Sequence, residues 1–290
     1  MISIIWKSYN KERSARLFGD QIMIDDFCNE LGFKQLDDFS QLEDGEGAIV
    51  TLPLEDNKYR IDQLNTDISK LPWVLVILTQ NEYAAQQYRE IKHPNMKLWL
   101  QSCGKDDIAD KFLGFGYPAI VENYYKPSPT GRDNKWFFSG QITHMRRKQA
   151  AEVLKNRTDG LFIGTAGFND GLEYPEYIAA MARSKLVICP AGPETPDTFR
   201  LYEALESGCI PIVDMQDGRG NDRKDYWYKV FGKGFPLAMV DSWYSIDDVM
   251  NLELLNYDTR KVEINKWWIN YKISFKEELL STVIKLKEHV

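Results

Sequence analysis

Nowhere along the 290 residues do apolar side chains run together for the ~18 positions that a membrane-crossing helix requires. The opening segment has only a short apolar run, over residues 2–6, and no small-residue cleavage site follows it. Neither a signal peptide nor a membrane span is expected, and the chain reads as cytoplasmic. Cysteine is scarce: Cys28, Cys103, Cys189 and Cys209 lack the spacing of a metal site. Two of them fall in runs that read as buried strands, so they are expected to be small core residues in a reducing compartment. Internal repeats and low-complexity segments are missing as well. So is a positive balance: 36 Lys and Arg against 43 Asp and Glu leave a formal charge of −7. That argues against indiscriminate polyanion binding but leaves room for a local basic face. Basic residues gather at Lys7/Lys11/Arg13/Arg16, at Arg146-Arg147-Lys148 and at Arg219/Arg223/Lys224, and acidic ones crowd 37–46 and 247–258. Such clusters are ordinarily solvated faces.

What is present is enough apolar matter, 43% of residues with 13% aromatic, to fill the cores of two domains. The first half alternates short strands with helices. Strands are expected over 2–6, 48–52, 73–78, 97–101 and, at the edge, 117–121. Helices are expected over 14–31 with Gly32 as the stop, 61–71, 82–90 and 106–113. Residues 123–135, with two prolines, a glycine and no periodicity, read as a linker, so a boundary is placed between about 123 and 134. The second half restarts the alternation with strands over 136–139, 161–164, 185–189, 209–213 and 236–240. Its helices are a Thr143-capped one through 154, then 176–182, 197–206, a stretch near Arg223, 246–255 capped by Ser245, and a long one over 258–288. The pattern is that of the α/β class, with parallel sheets covered by helices. It divides the chain into 1–125, 134–257 and 258–290.

Chemistry concentrates in the turn over 190–196. A buried strand ends at Cys189, the chain turns through Pro190, Gly192, Pro193 and Pro196, and Asp197 or Thr198 caps the next helix. The free N–H groups of such a helix, beside a loop that can approach closely, suit a phosphate. Arg200, in the first turn, can reach the same anion as a forked donor. Glu203 shares its face, and an ionised carboxylate, which only accepts, suits the two hydroxyls of a ribose. The alternative is that Arg200 and Glu203 merely pair with each other across one helical turn.

The run SKLVICPAGPETPDTFRLYEALESGCIPIVD resembles the signature of the exostosin-like glycosyltransferases. The resemblance lies in Ser184, Cys189-Pro190, Gly192, Arg200, Glu203-Ala204 and Gly208-Cys209-Ile210-Pro211; FFSGQITHMRR upstream is similar to the family's strand, glycine turn and arginine. The resemblance covers about residues 135–215. It implies a GT-B fold, two Rossmann-like domains facing across a cleft with a C-terminal crossover helix. Residues 1–125 would form the acceptor domain and 134–257 the nucleotide-sugar donor domain. Residues 258–290, with Trp267, Trp268 and Tyr271, would pack back on the first domain. By the same resemblance Glu203 would hold the donor ribose and Arg200 its diphosphate or sugar, with Gly140 and Arg147 near the phosphates. The sequence departs from the wider GT-B pattern of two glutamates eight positions apart: Thr195 stands where the first would be, with Glu194 one place off. No D-x-D occurs, which disfavours the metal-dependent GT-A alternative. No metal and no cofactor beyond the nucleotide-sugar co-substrate are expected, and helix N-termini and arginines would meet the leaving charge.

The expected reaction is transfer of a hexosyl or pentosyl group from a nucleotide diphosphate sugar, a UDP-sugar by resemblance, to a hydroxyl acceptor, metal-independent and inverting. An inverting transfer needs a base that reaches the acceptor hydroxyl. Glu82, after the strongest strand of the first half, is the candidate, with Glu55, Asp56 and His93 as the other strand-end groups. The acceptor is expected to be a saccharide or small molecule. The alternative is DNA glycosylation on hydroxymethylated bases of viral DNA, for which Lys7, Lys11, Arg13 and Arg16 would face phosphates. Readings of another class are a non-catalytic binding module of the same fold and a nucleotide-sugar epimerase.

Overall fold

The computed structural model describes residues 2–7, 21–53, 58–79, 87–101, 108–124, 131–167 and 170–290. The chain divides into two compact units, Met1–Pro118 with Lys272–Val290, and Ala119–Tyr271. Each is an α/β unit built on a parallel sheet, in the manner of a Rossmann-like domain.

In the first unit six strands, β1 (Ser3–Trp6), β2 (Lys34–Leu36), β3 (Ala48–Pro53), β4 (Val74–Thr79), β5 (Met96–Gln101) and β6 (Lys111–Leu113), lie in the order β2-β1-β3-β4-β5-β6. All pairings are parallel. The runs AIVTLP and VLVILT are buried along their whole length, as strands covered on both faces must be. Ile5, Val50, Leu52, Val76 and Leu78 pack on one face against Ile61, Leu64 and Ile68 of α2 (Lys58–Ile68). On the other face Phe275 meets Phe27 of α1 (Ile22–Glu30) at 5.2 Å and Trp99 at 5.7 Å between ring centroids.

The second unit runs β7 (Asn134–Gln141), α3 (Met145–Leu154), β8 (Leu161–Thr165), α4 (Tyr174–Ala182), β9 (Ser184–Cys189), α5 (Phe199–Glu206), β10 (Ile210–Asp214), α6 (Asp225–Phe231), β11 (Ala238–Val240) and α7 (Ile246–Leu255). Its five parallel strands are ordered β11-β10-β9-β7-β8. Both sheets are therefore wound alike. The first strand lies between the second and the third, and the winding reverses between β1 and β3 in one unit and between β7 and β9 in the other. Such a reversal opens a crevice at the carboxyl ends of the strands, where sheets of this kind bind ligands. Arg132 ties the lower end of this unit together. Its guanidinium donates to the carbonyls of Ala182, Ser184, Ser207 and Gly208 at 2.7–2.9 Å, and so joins the ends of α4 and α5 to the start of β9.

The 32-residue α8 (Tyr257–Glu288) closes the chain. Ile264 and Trp268 are its buried residues in the second unit, and Phe275, Leu279, Val283 and Leu286 in the first, the spacing of one helical face. None of the helices among the described residues is long and apolar enough to cross a membrane.

Several expected elements are corrected. Residues 108–110 are not helical and 111–113 form the edge strand β6, while the strand expected over 117–121 is absent. Asp110 explains the first difference: its carboxylate accepts from Leu98 N at 2.8 Å and its own N–H bonds Leu98 O, which commits it to β5. Gly116, with φ +74°, and Pro118 account for the second by turning the chain. The edge strand β2 was not anticipated. The helix after β7 has His144, not Thr143, at its N-cap. Of the helix expected over 82–90, a 3-10 turn over Gln87–Glu90 is described. Cys28, Cys189 and Cys209 are buried free thiols, and Cys103 lies outside the described residues.

Candidate functional site

At the carboxyl edge of the second sheet, β7 ends in Ser139-Gly140-Gln141 and β9 leads into the turn over 190–196. Arg200, from the first turn of α5, reaches across to β7. Its Nε and Nη2 donate to Ser139 O at 2.9 and 2.5 Å, and its guanidinium lies 4.8 Å from the Phe138 ring centroid. Gly140 makes this approach possible: its φ is +151°, and a Cβ there would stand 2.3 Å from Arg200 Nη2. The side chain is 7% exposed, and Nη1 has no hydrogen-bond partner. A buried cation with one free donor at a strand edge has the chemistry to receive an anion or a polar ligand group.

Arg147, on α3, joins the same two segments, its Nε donating to Ala191 O at 3.1 Å and its Nη1 to Gln141 O at 3.4 Å. Pro190 and Gly192 are buried in the turn. Gly218 packs against the carbonyls of Gly192 and Pro193 with no room for a side chain, since a Cβ there would meet them at 2.7 and 2.8 Å. Thr198 is the N-cap of α5, but its side chain makes no capping bond, and its hydroxyl and that of Thr195 are buried without partners. Asp197 fixes the end of the turn instead: it accepts from Thr198 N at 2.8 Å and from the hydroxyls of Tyr202 and Tyr226 at 2.9 and 3.0 Å.

Glu203 and Arg200 do not form an ion pair, so the alternative of a simple helical pair does not describe this helix. Glu203 faces α4 and accepts from Tyr177 Oη at 2.7 Å. Burial raises its carboxyl above the usual range, opposed by the hydroxyls of Tyr177 and Tyr174 and by the charge of Arg200. Burial, then the charge of Glu203, raises both tyrosines in turn, so they stay neutral; Tyr177 donates to Glu203, and the hydroxyl of Tyr174 is buried without a hydrogen-bond partner. The Tyr174 ring meets Tyr124 edge-on at 4.9 Å.

Two further groups were not singled out from the sequence. Asp214, at the end of β10, is fully buried and accepts from Arg146 Nε and Nη2 at 3.0 and 2.7 Å, Trp243 Nε1 at 2.7 Å, Gln216 N at 3.0 Å and Ala191 N at 3.3 Å. Arg146 is thereby a buried positioning cation and not part of a solvated basic face; the same is true of Arg223, which donates to Glu194 O at 3.1 Å. The second is His144. Both its ring nitrogens are buried without partners, and burial, followed by the charge of Arg147, pushes its pKa down to about 4. The string THMRR holds His144 and Arg146, but the partner that buries Arg146, Asp214, lies 68 residues away.

Elsewhere, Glu194 pairs with Arg219. Lys7 lies in the first unit, bonded to Asp38 and 5.6 Å from the Phe39 ring centroid. Lys11, Arg13, Arg16, Glu55, Asp56 and Glu82 lie outside the described residues. His93 bonds Leu71 O through Nε2 at 2.9 Å and accepts from Asn95 N through Nδ1 at 3.1 Å, which commits it to loop structure. Among the described residues no group of three or more His, Cys, Asp or Glu is placed to hold a metal ion.

A search of curated proteins matched none to this chain. Residues 169–288 match the family described as the RXYLT1 C-terminal domain, which supports a glycosyltransferase family for the part of the chain that carries the turn, Arg200 and Glu203.

Proposed function

We propose that the chain is a glycosyltransferase of GT-B type that takes its sugar from a nucleoside diphosphate sugar, a uridine one by resemblance, and passes it to a hydroxyl acceptor with inversion and without a metal. The observation that carries the reading is the buried Arg200 guanidinium with its unpartnered Nη1, at the carboxyl rim where the winding of the second sheet reverses. In this reading 134–257 is the donor domain, 1–125 the acceptor domain and 258–290 the crossover segment.

Arg200, with Arg147, Gly140 and the start of α5 at Thr198, receives the diphosphate. The turn through Pro190 and Gly192 lets the backbone come close. Glu203 holds the ribose hydroxyls. The acceptor oxygen attacks the anomeric carbon as its bond to the diphosphate breaks, and the hydroxyl proton passes to a base, for which Glu82 is the proposed group. The departing oxygen leaves negative charge on the diphosphate. Fixed donors aimed there stabilise the transition state more than the substrate, and removing one typically costs about 10²–10³ in kcat.

Incubation with labelled nucleotide sugars and a panel of saccharide acceptors tests the reading, with nucleotide release and labelled product followed by chromatography. Transfer to an acceptor is expected. Interconversion of the sugar without transfer would mark an epimerase instead, and neither reaction would mark a binding module.

A further inference from the structure

The first sheet also has unpartnered polar atoms at a reversal of winding. We infer that the carboxyl ends of β1, β3 and β4 form a binding site for an uncharged, hydroxyl-rich ligand of the saccharide class, with Trp6, Thr51 and Thr79 as its contacts.

Trp6, Thr51, Ile77 and Trp99 form one cross-strand row over β1, β3, β4 and β5, and Thr79 lies two residues beyond Ile77 on β4. Residues two apart on a strand point to the same side, and strands lie about 4.8 Å apart. Trp6, Thr51 and Thr79 thus share the face opposite the core formed by Ile5, Val50, Leu52, Val76 and Leu78. Their face on β1, β3 and β4 also carries Ile4, Ile49, Pro53, Leu75 and Ile77, and its row continues on β5 to Trp99, which meets Phe275 of α8. On this apolar ground Trp6 Nε1 and the hydroxyls of Thr51 and Thr79 are buried and have no partner. Trp6 is 6% exposed and both threonines 0%. A buried donor or hydroxyl left unmade costs free energy, and three on one face are not explained by packing, for which Phe or Val would serve better.

The chemistry of the set is specific. An indole N–H only donates, while a threonine hydroxyl donates or accepts, which suits neighbouring alcohol groups. None of the three carries charge. Lys7, next in the chain, belongs to the other face and is bonded to Asp38, so it brings no charge to the three. A tryptophan ring also offers an apolar surface to the C–H face of a sugar. The site rests on the unpartnered atoms; naming its ligand as the acceptor rests on the function proposed above.

The test uses the full chain with no nucleotide sugar present. A panel of glucose, galactose, mannose, xylose, their methyl glycosides and lactose is titrated by saturation-transfer NMR into the wild type and into the Thr51→Val/Thr79→Val variant. Valine keeps the volume of threonine and removes the unpartnered hydroxyl, so the melting temperature should hold or rise. At least one sugar should bind the wild type, with Kd at least 10-fold weaker in the variant. The inference is overturned if no sugar binds the wild type or if the variant binds equally. It also fails if the variant melts lower, which would show the hydroxyls engaged with trapped water. UDP binding, measured in parallel, separates this result from the donor reading, because the two threonines lie in the other unit and their replacement should leave it unchanged.

Discussion

Arg200 and Gly140 are matched at the level of single atoms. Gly140→Ala would put a Cβ 2.3 Å from Arg200 Nη2 on a backbone with φ +151°, so the guanidinium must leave Ser139. The expected cost is about 1–3 kcal/mol of stability, with nucleotide affinity at least 10-fold weaker, read by thermal melting and by titration with UDP. His144 predicts a pH dependence. Its pKa is held down to about 4, below the ordinary histidine value near 6.5. Above that value the ring is neutral in both the folded and the unfolded chain and contributes nothing. As pH falls, the unfolded chain takes a proton that the folded site refuses, so stability drops until about pH 4 and then levels. The ring is only partly buried, so solvent screening reduces the effect to about 1–2 kcal/mol. Urea titrations at pH 7 and 4.5 should show this loss in the wild type and a smaller one in His144→Gln.

At the level of elements, the turn over 190–196 is held from outside itself. Asp214 bonds Ala191 N while it pairs with Arg146, which ties β10, α3 and the turn together. Asp214→Asn would leave the Arg146 cation buried without its counter-ion, a loss of about 3–5 kcal/mol, visible as a lower urea midpoint. This long-range wiring is also what the sequence could not show. The elements α4, β9, α5 and β10 were legible within a residue or two at most ends, because buried strands and a capped helix leave contiguous apolar patterns. Arg146 read as solvated because its partner is 68 residues away. The edge strands β2 and β6 escaped notice, since three residues cannot display a period of two and only one residue of each is buried. Arg200 and Glu203 were picked out by residue type and spacing, whereas the carbonyl and the tyrosine that receive them come from β7 and α4.

For the whole molecule, α8 means that the first unit is not contiguous in sequence: Lys272–Val290 belongs with Met1–Pro118. Phe275, Leu279, Val283 and Leu286 are buried there, and burying each contributes about 1.5–3 kcal/mol. Their sum is comparable to the net stability of about 5–15 kcal/mol of an entire domain. A chain ending at Tyr271 should therefore lose the fold of its first unit. Limited proteolysis should digest 1–118 in that chain and leave 119–271 as a protected fragment, whereas the full chain should protect both.

Everything proposed for the second unit turns on a nucleoside diphosphate held by Arg200. Calorimetric titration of UDP, GDP, CDP, ADP and dTDP into the wild type and into Arg200→Gln measures it directly. At least one nucleotide should bind the wild type with 1:1 stoichiometry and bind the variant at least 10-fold more weakly, with both proteins folded by circular dichroism. Absence of binding to the wild type, or equal affinity in the two proteins, would contradict it.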